Sequence, residues 1–138
     1  MKVAIVGYGK MGKEIEKILI ERGHTVVCKL QTKPTVEDLK DVDVAIEFSN
    51  PEAAFENIKF LLENKIPTIS GTTGWTDRLD EIIQINEDNN AAFLYASNFS
   101  LGVNLFFELN AHLAQLMAKY PEYKAELEEI HHTQKIDK

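Results

Sequence analysis

The feature that most constrains this chain lies at its start. An apolar run, Lys2 to Val6, passes directly into Gly7-Tyr8-Gly9-Lys10-Met11-Gly12, and a pattern of helical period follows. Three glycines at that spacing between a strand and a helix specify a tight turn, a close approach to the backbone and a close helix-to-strand contact. The free N–H groups at the start of the helix present partial positive charge, which suits an anion. The arrangement is the fingerprint of a dinucleotide pyrophosphate site, and the alternative is glycines that serve the turn alone.

The rest of the chain repeats this alternation. Lys2 to Val6, Thr25 to Leu30, Val42 to Phe48, Ile66 to Ser70, Ala91 to Ala96 and Tyr123 to His131 read as strands. Helices are expected between them. The first, Lys10 to Arg22, carries Met11, Ile15, Ile18 and Leu19 on one stripe and ends at Gly23. Asn50 and Pro51 cap a second that packs Ala54, Ile58, Leu61 and Leu62, and two more run from Trp75 to Asp88 and from Ser100 to Tyr120, before Pro121. Strands as continuously apolar as Val42-Asp43-Val44-Ala45-Ile46 must be covered on both faces. The fold class is therefore α/β, a doubly wound parallel sheet of Rossmann type, with ligands expected outside the carboxyl ends of the strands.

Composition narrows the partners. Of 138 residues, 15 are Lys or Arg and 22 are Asp or Glu, a formal charge of −7 that repels nucleic acid and acidic membrane surfaces. The single cysteine, Cys28, excludes an internal disulfide and suits a reducing cytoplasm. No apolar stretch approaches the length of a membrane span, and the N-terminal run is too short for a signal-peptide core. Neither repeats nor a flexible linker divide the chain. A dinucleotide-binding domain over residues 1–125 is expected, with 126–138 opening a second domain.

Each strand-to-helix junction offers candidates. At the second strand end no carboxylate lies between Glu21 and Glu37 to meet a ribose, and Lys29-Leu30-Gln31-Thr32-Lys33 stands there instead. Those lysines would suit a 2′-phosphate, or are solvated charges. Phe48-Ser49-Asn50-Pro51 and Gly71-Thr72-Thr73-Gly74 sit at the next two strand ends. A Gly-Thr-Thr-Gly turn exposes backbone groups of the kind a nicotinamide carboxamide requires, Phe48 would pack against the cofactor, and a turn and a cap are the alternatives. Ser97, Asn98 and Phe99 begin the fifth junction, where Phe99 would wall the nicotinamide pocket or act as a hydrophobic staple for a helix capped by Ser100. His112 lies among leucines and reads as a packing or surface histidine. The last segment holds His131, His132 and Lys135. Histidine can give a proton near neutrality and lysine can fix a carboxylate, whereas two histidines without a third ligand make no metal site. A solvated exit strand is the other reading.

Together these junctions resemble the dihydrodipicolinate reductase family of the bacterial diaminopimelate and lysine pathway. The resemblance runs the full length: Gly7 to Gly12, Phe48-Ser49-Asn50-Pro51-Glu52-Ala53, Gly71 to Gly74, Ser97 to Asn104, and most specifically His131-His132-x-x-Lys135-x-Asp137. It implies hydride transfer from NADPH or NADH to a cyclic unsaturated dicarboxylate, giving tetrahydrodipicolinate. It implies His131 as general acid, Lys135 as its partner in proton transfer and carboxylate binding, and His132 as a substrate contact. Gly71, Thr73, Ser97 and Phe99 then match nicotinamide-side contacts. In the family a Pro-Ser-Gly-Thr-Ala stretch follows the Asp137 region, and here the sequence ends at Lys138. The resemblance thus implies the N-terminal part of a homotetrameric enzyme, of poor activity in this form. The competing readings are a non-catalytic NAD(P)-binding module or redox sensor, and an oxidoreductase of another amino-acid pathway.

Overall fold

The computed structural model describes residues 1–128 and 130. Five parallel strands, β1 (Lys2–Val6), β2 (Thr25–Leu30), β3 (Val44–Glu47), β4 (Thr68–Ser70) and β5 (Phe93–Tyr95), form one sheet in the order β2-β1-β3-β4-β5. The chain leaves β1 towards β2 and then returns to the other side of β1 to form β3. The strand order reverses there, so the crevice of the sheet opens between the carboxyl ends of β1 and β3.

Helix α1 (Lys10–Glu21) covers one face, and α2 (Pro51–Glu63) and α3 (Leu79–Asp88) cover the other. Ala4, Val6 and Ala45 meet Leu61 on the α2 side, while Ala54, Phe55, Ile58 and Leu62 pack with Trp75 and Ile82. Ile58, Leu61, Leu62 and Ile82 are wholly buried, each contributing about 1.5–3 kcal/mol of hydrophobic stabilisation. Trp75 meets the edges of Phe93 and Tyr95 at centroid distances of 6.3 and 5.4 Å. On the opposite face Ile5, Ile46, Ile69 and Leu94 form one register row, buried at Ile5 and 54% exposed at Leu94. Within this unit α1 covers only the β2–β1 end of that face.

Strands β1 and β2 have the expected bounds, and the other three are shorter than their apolar runs. In α1 the inner face is Gly12, Ile15 and Leu19, and Met11 and Ile18 are exposed. The glycine at position 12 lets the helix approach so closely that an added Cβ would lie 2.5 Å from the Gly7 carbonyl oxygen, and this contact sets the rotation of the helix. The expected helix from Trp75 begins instead with a 3₁₀ turn, Thr76–Arg78, because the Trp75 indole is drawn inward and donates to the Thr72 carbonyl at 2.7 Å. Gly23 takes the positive φ of +76° that ends α1.

The chain divides into two compact units, Met1–Phe99 and a second that begins at Ser100. In the second, α4 (Leu101–Met117) starts where the Ser100 hydroxyl accepts the Val103 N–H. It ends before Tyr120, and no residue in it is buried. The expected strand from Tyr123 is absent as far as Glu128: the chain passes Tyr123 in a bend and continues without regular structure. The remainder of that expected strand, apart from Ile130, lies outside the described residues.

Candidate functional site: a groove along the carboxyl edge of the sheet

Three adjoining depressions run along the carboxyl edge of the first unit and share lining residues. The first, about 290 Å³, lies between Gly7, Gln31 to Lys33, Ser49, Asn50 and α2. The second, about 310 Å³, lies between Gly9 to Met11, Phe48, Ser49 and Gly71 to Thr73. A shallower one joins them over Gly7, Tyr8, Gly9 and Phe48. The groove therefore crosses the reversal point from the end of β2 to the end of β4.

The glycine loop is built by backbone. The Gly7 and Tyr8 N–H groups donate to the Leu30 carbonyl at 2.8 and 3.0 Å, tying the loop to β2. Gly7 has φ +94°, and any Cβ there would overlap the Phe48 carbonyl. Gly9 differs: a Cβ added there meets nothing within 4 Å, so the backbone faces open groove. Gly9 is also the N-cap of α1, and no side-chain oxygen caps that helix. Its first-turn amides are thus not taken up by a capping side chain.

Beyond the loop, the Phe48 ring lies directly above Gly71, where a Cβ would overlap its edge. Phe99 meets Phe48 at a centroid distance of 6.1 Å and is half exposed. Thr72 and Thr73 line the second depression, and Ser97 and Asn98 are exposed just beyond β5. The structure thus brings Gly7 to Met11, Phe48 and Gly71 to Thr73 onto one groove. His131, His132 and Lys135 lie outside the described residues.

Lys29 occupies a different setting from Lys33. Its ammonium donates to Glu16 Oε1 at 3.1 Å and sits 5.2 Å from the centroid of the Tyr8 ring, while the Tyr8 hydroxyl donates to Glu16 Oε2. The Tyr8 hydrogen bond holds the Glu16 carboxyl below its ordinary range, and the bond to Glu16 raises Lys29. Tyr8 is raised by the same contact. Lys33 lines the first depression and pairs with Glu56 at 3.7 Å, both side chains being more than half exposed.

One buried group escaped the sequence reading. Glu47, at the end of β3, is wholly buried, and its carboxylate accepts from the Ser49 N–H, from the Ser49 and Thr72 hydroxyls, and from the Ser70 hydroxyl at 2.6 Å. A carboxylate inside an apolar strand run, with hydroxyl residues at two neighbouring strand ends, was the available signal.

The family model described as dihydrodipicolinate reductase, N-terminus, matches residues 1–99. The chain belongs to this family. Among curated relatives it is similar to the 4-hydroxy-tetrahydrodipicolinate reductases of Christiangramia forsetii and Staphylococcus aureus. The first is 50% identical across 99% of this chain and 58% of that protein. The second is 31% identical across 99% of this chain and 59% of that protein. The chain thus spans rather less than two thirds of the length of these dihydrodipicolinate reductase relatives. Among solved structures it is similar in fold to a putative homoserine dehydrogenase from Archaeoglobus fulgidus, with a TM-score of 0.59 and 17% identity over 69% of this chain and 42% of the other. An aspartate dehydrogenase from Thermotoga maritima gives a TM-score of 0.53 and 20% identity over 76% and 49%. These likenesses support the doubly wound, Rossmann-like fold. Among the described residues no helix is long and apolar enough to cross a membrane.

Proposed function

We propose that this chain is the nucleotide-binding part of a reductase that transfers hydride from NADH or NADPH to a cyclic unsaturated dicarboxylate, converting 4-hydroxy-tetrahydrodipicolinate to tetrahydrodipicolinate in lysine and diaminopimelate biosynthesis. The observation that carries the reading is the groove through the strand-order reversal, floored by Gly7 and Gly9 and closed at its far end by Phe48 and the Gly71–Thr73 loop.

The residues fit a dinucleotide. Open space over Gly9 and the uncapped first turn of α1 accommodate a pyrophosphate through backbone N–H groups. Gln31, Thr32 and Lys33 lie at the adenosine end. At the other end, Phe48 and Phe99 offer apolar surface for a nicotinamide, and the Gly71–Thr73 backbone offers polar groups for its carboxamide. Bound there, the reduced nicotinamide supplies the hydride. Because Lys29 is engaged by Glu16, the cation best placed for a 2′-phosphate is Lys33, whose partner Glu56 is at 3.7 Å on an exposed surface. This supports use of NADPH beside NADH.

His131 serves as the general acid, Lys135 as its cationic partner for a substrate carboxylate, and His132 as a substrate contact. A conjugate hydride addition needs a proton delivered nearby, and a dianionic substrate needs fixed positive charge. A cytoplasmic enzyme that becomes tetrameric at the length of its relatives completes the proposal.

The test uses two samples. The protein extended to the length of its relatives is assayed by loss of NAD(P)H absorbance with the cyclic dicarboxylate, and the 138-residue chain is titrated with NADH and NADPH. Oxidation by the long form, with nucleotide binding but negligible turnover by the short one, is the expected result. No oxidation by the long form overturns the reductase assignment.

A further inference from the structure

Glu47 stands in the register row Val6, Glu47, Ser70, Tyr95, on the face covered by α2, at the level where the groove begins. Its Oε1 takes three donors: the Ser49 N–H at 3.0 Å, the Thr72 hydroxyl at 3.0 Å and the Ser49 hydroxyl. Its Oε2 takes the Ser70 hydroxyl at 2.6 Å. A hydroxyl has one proton to give, so these bonds commit all three hydroxyls as donors to one buried acid. The Thr72 oxygen, with its proton directed to Glu47, accepts the Ser49 N–H at 2.8 Å, and the Ser49 oxygen lies 3.4 Å from the Asn57 amide nitrogen. The carboxylate therefore joins the loop after β3 to the loop after β4. A buried polar network of this kind holds one geometry when all its members are satisfied.

We propose that Glu47 is a positioning residue: through Ser49 and Thr72 it locks the Phe48–Asn50 and Gly71–Thr73 loops into one rigid wall that orients the nicotinamide half of the cofactor. This rests on the assignment of that end of the groove to the nicotinamide. Glu47 lines none of the three depressions, so it acts without touching the ligand. Ser70 is also wholly buried and lines none of them. Its influence on the groove therefore passes through Glu47 or through the strand itself. Ser49 and Asn57 also form one edge of the first depression, whereas Gln31 to Lys33 across it and the Leu30 carbonyl that ties the glycine loop are not contacted by this network.

The test compares NADH with ADP-ribose, which lacks the nicotinamide, by calorimetric titration of the 138-residue chain and of Glu47→Asp, Glu47→Gln and Ser70→Ala. The emission of Trp75 and the melting temperature report whether each variant folds. Glu47→Asp retains the acid but withdraws it by one methylene, so NADH should weaken about tenfold more than ADP-ribose, which loses only what the Ser49 and Asn57 edge of the first depression contributes. Glu47→Gln keeps the length and one acceptor oxygen and should recover part of that loss. Ser70→Ala, which deletes one donor to Oε2, should show a smaller loss of the same kind. Equal weakening of both ligands, or no change in either, would overturn the proposal. Failure of the unsubstituted chain to bind ADP-ribose would instead overturn the nucleotide-site assignment beneath it.

Discussion

Gly7 and the carbonyl of Phe48 occupy adjoining space so completely that no side chain fits between them, and the Ser49 nitrogen lies only 2.6 Å from where a Cβ would stand. This contact closes the floor of the groove at the strand-order reversal. Gly7→Ala must move backbone on β1 or β3 and must also hold alanine at a φ of +94°, so it should destabilise the fold by about 2–4 kcal/mol in urea unfolding. Gly9→Val makes the contrasting case. Nothing lies within 4 Å of its Cβ, so stability should fall by about 1 kcal/mol or less while NADH binding is lost to crowding of the pyrophosphate. A Gly9→Val protein that binds normally would contradict the placement of the anion.

Gly71 and Phe48 are coupled differently, because the atoms that an added Cβ would meet belong to the end of a side chain. Gly71→Ala should leave the fold nearly as stable and turn the Phe48 ring away from its seat, weakening NADH by about tenfold or more. Phe48→Leu removes the obstructing ring edge. In a double-mutant cycle the two substitutions should therefore be strongly non-additive in NADH affinity, whereas additive losses would show that the ring does not depend on the glycine.

The legibility of these features in the sequence follows from how local each one is. The glycine loop, the Asn50–Pro51 cap and the first two strands depend on neighbours in the chain, and the structure places them where the spacing does. The Asn50 side chain indeed accepts the Ala53 N–H at 2.9 Å. The rotation of α1, the inward turn of Trp75 and the burial of Glu47 depend on groups 3 to 25 positions away, and only the folded sheet brings the farthest of these together. The strand expected from Tyr123 had a β-branched and aromatic composition too sparse to form without a pairing partner. Lys29 was readable as a strand-end cation, but not its capture by Glu16, thirteen residues earlier on the neighbouring helix.

That capture has a pH signature. The Glu16 carboxyl is held below its ordinary 4.5 by the Tyr8 hydroxyl and then by Lys29, so its folded value is below its unfolded one. Such a group adds stability above pH 4.5, and the contribution disappears as pH falls through the lowered folded value. Glu16→Gln should therefore flatten the acid side of a stability-against-pH curve and leave its shape around neutrality unchanged, while the alkaline side alters because Lys29 and Tyr8 lose the partner that raises them. The same substitution frees Lys29, and if that cation then reaches the adenosine end, NADPH should gain over NADH in a titration at low salt. A ratio that stays constant would leave Lys33 as the cation that meets a 2′-phosphate.

His131 offers a division between chemistry and binding. A general acid acts on the proton transferred in the transition state, and its loss typically lowers the rate by a factor of about 10² or more. Among the described residues, the Gly7 to Met11 loop and the Phe48 and Gly71–Thr73 walls line the groove assigned to the cofactor. In the protein extended to the length of its relatives, His131→Ala should therefore lower kcat by about 10²-fold while the Kd for NADPH remains within about twofold. Lys135→Ala should raise KM for the dicarboxylate as well as lowering kcat, because the same cation would bind the ground-state carboxylate and stabilise the developing charge. A His131→Ala enzyme with normal kcat and weakened NADPH binding would reverse the two roles and make the imidazole part of the nucleotide site.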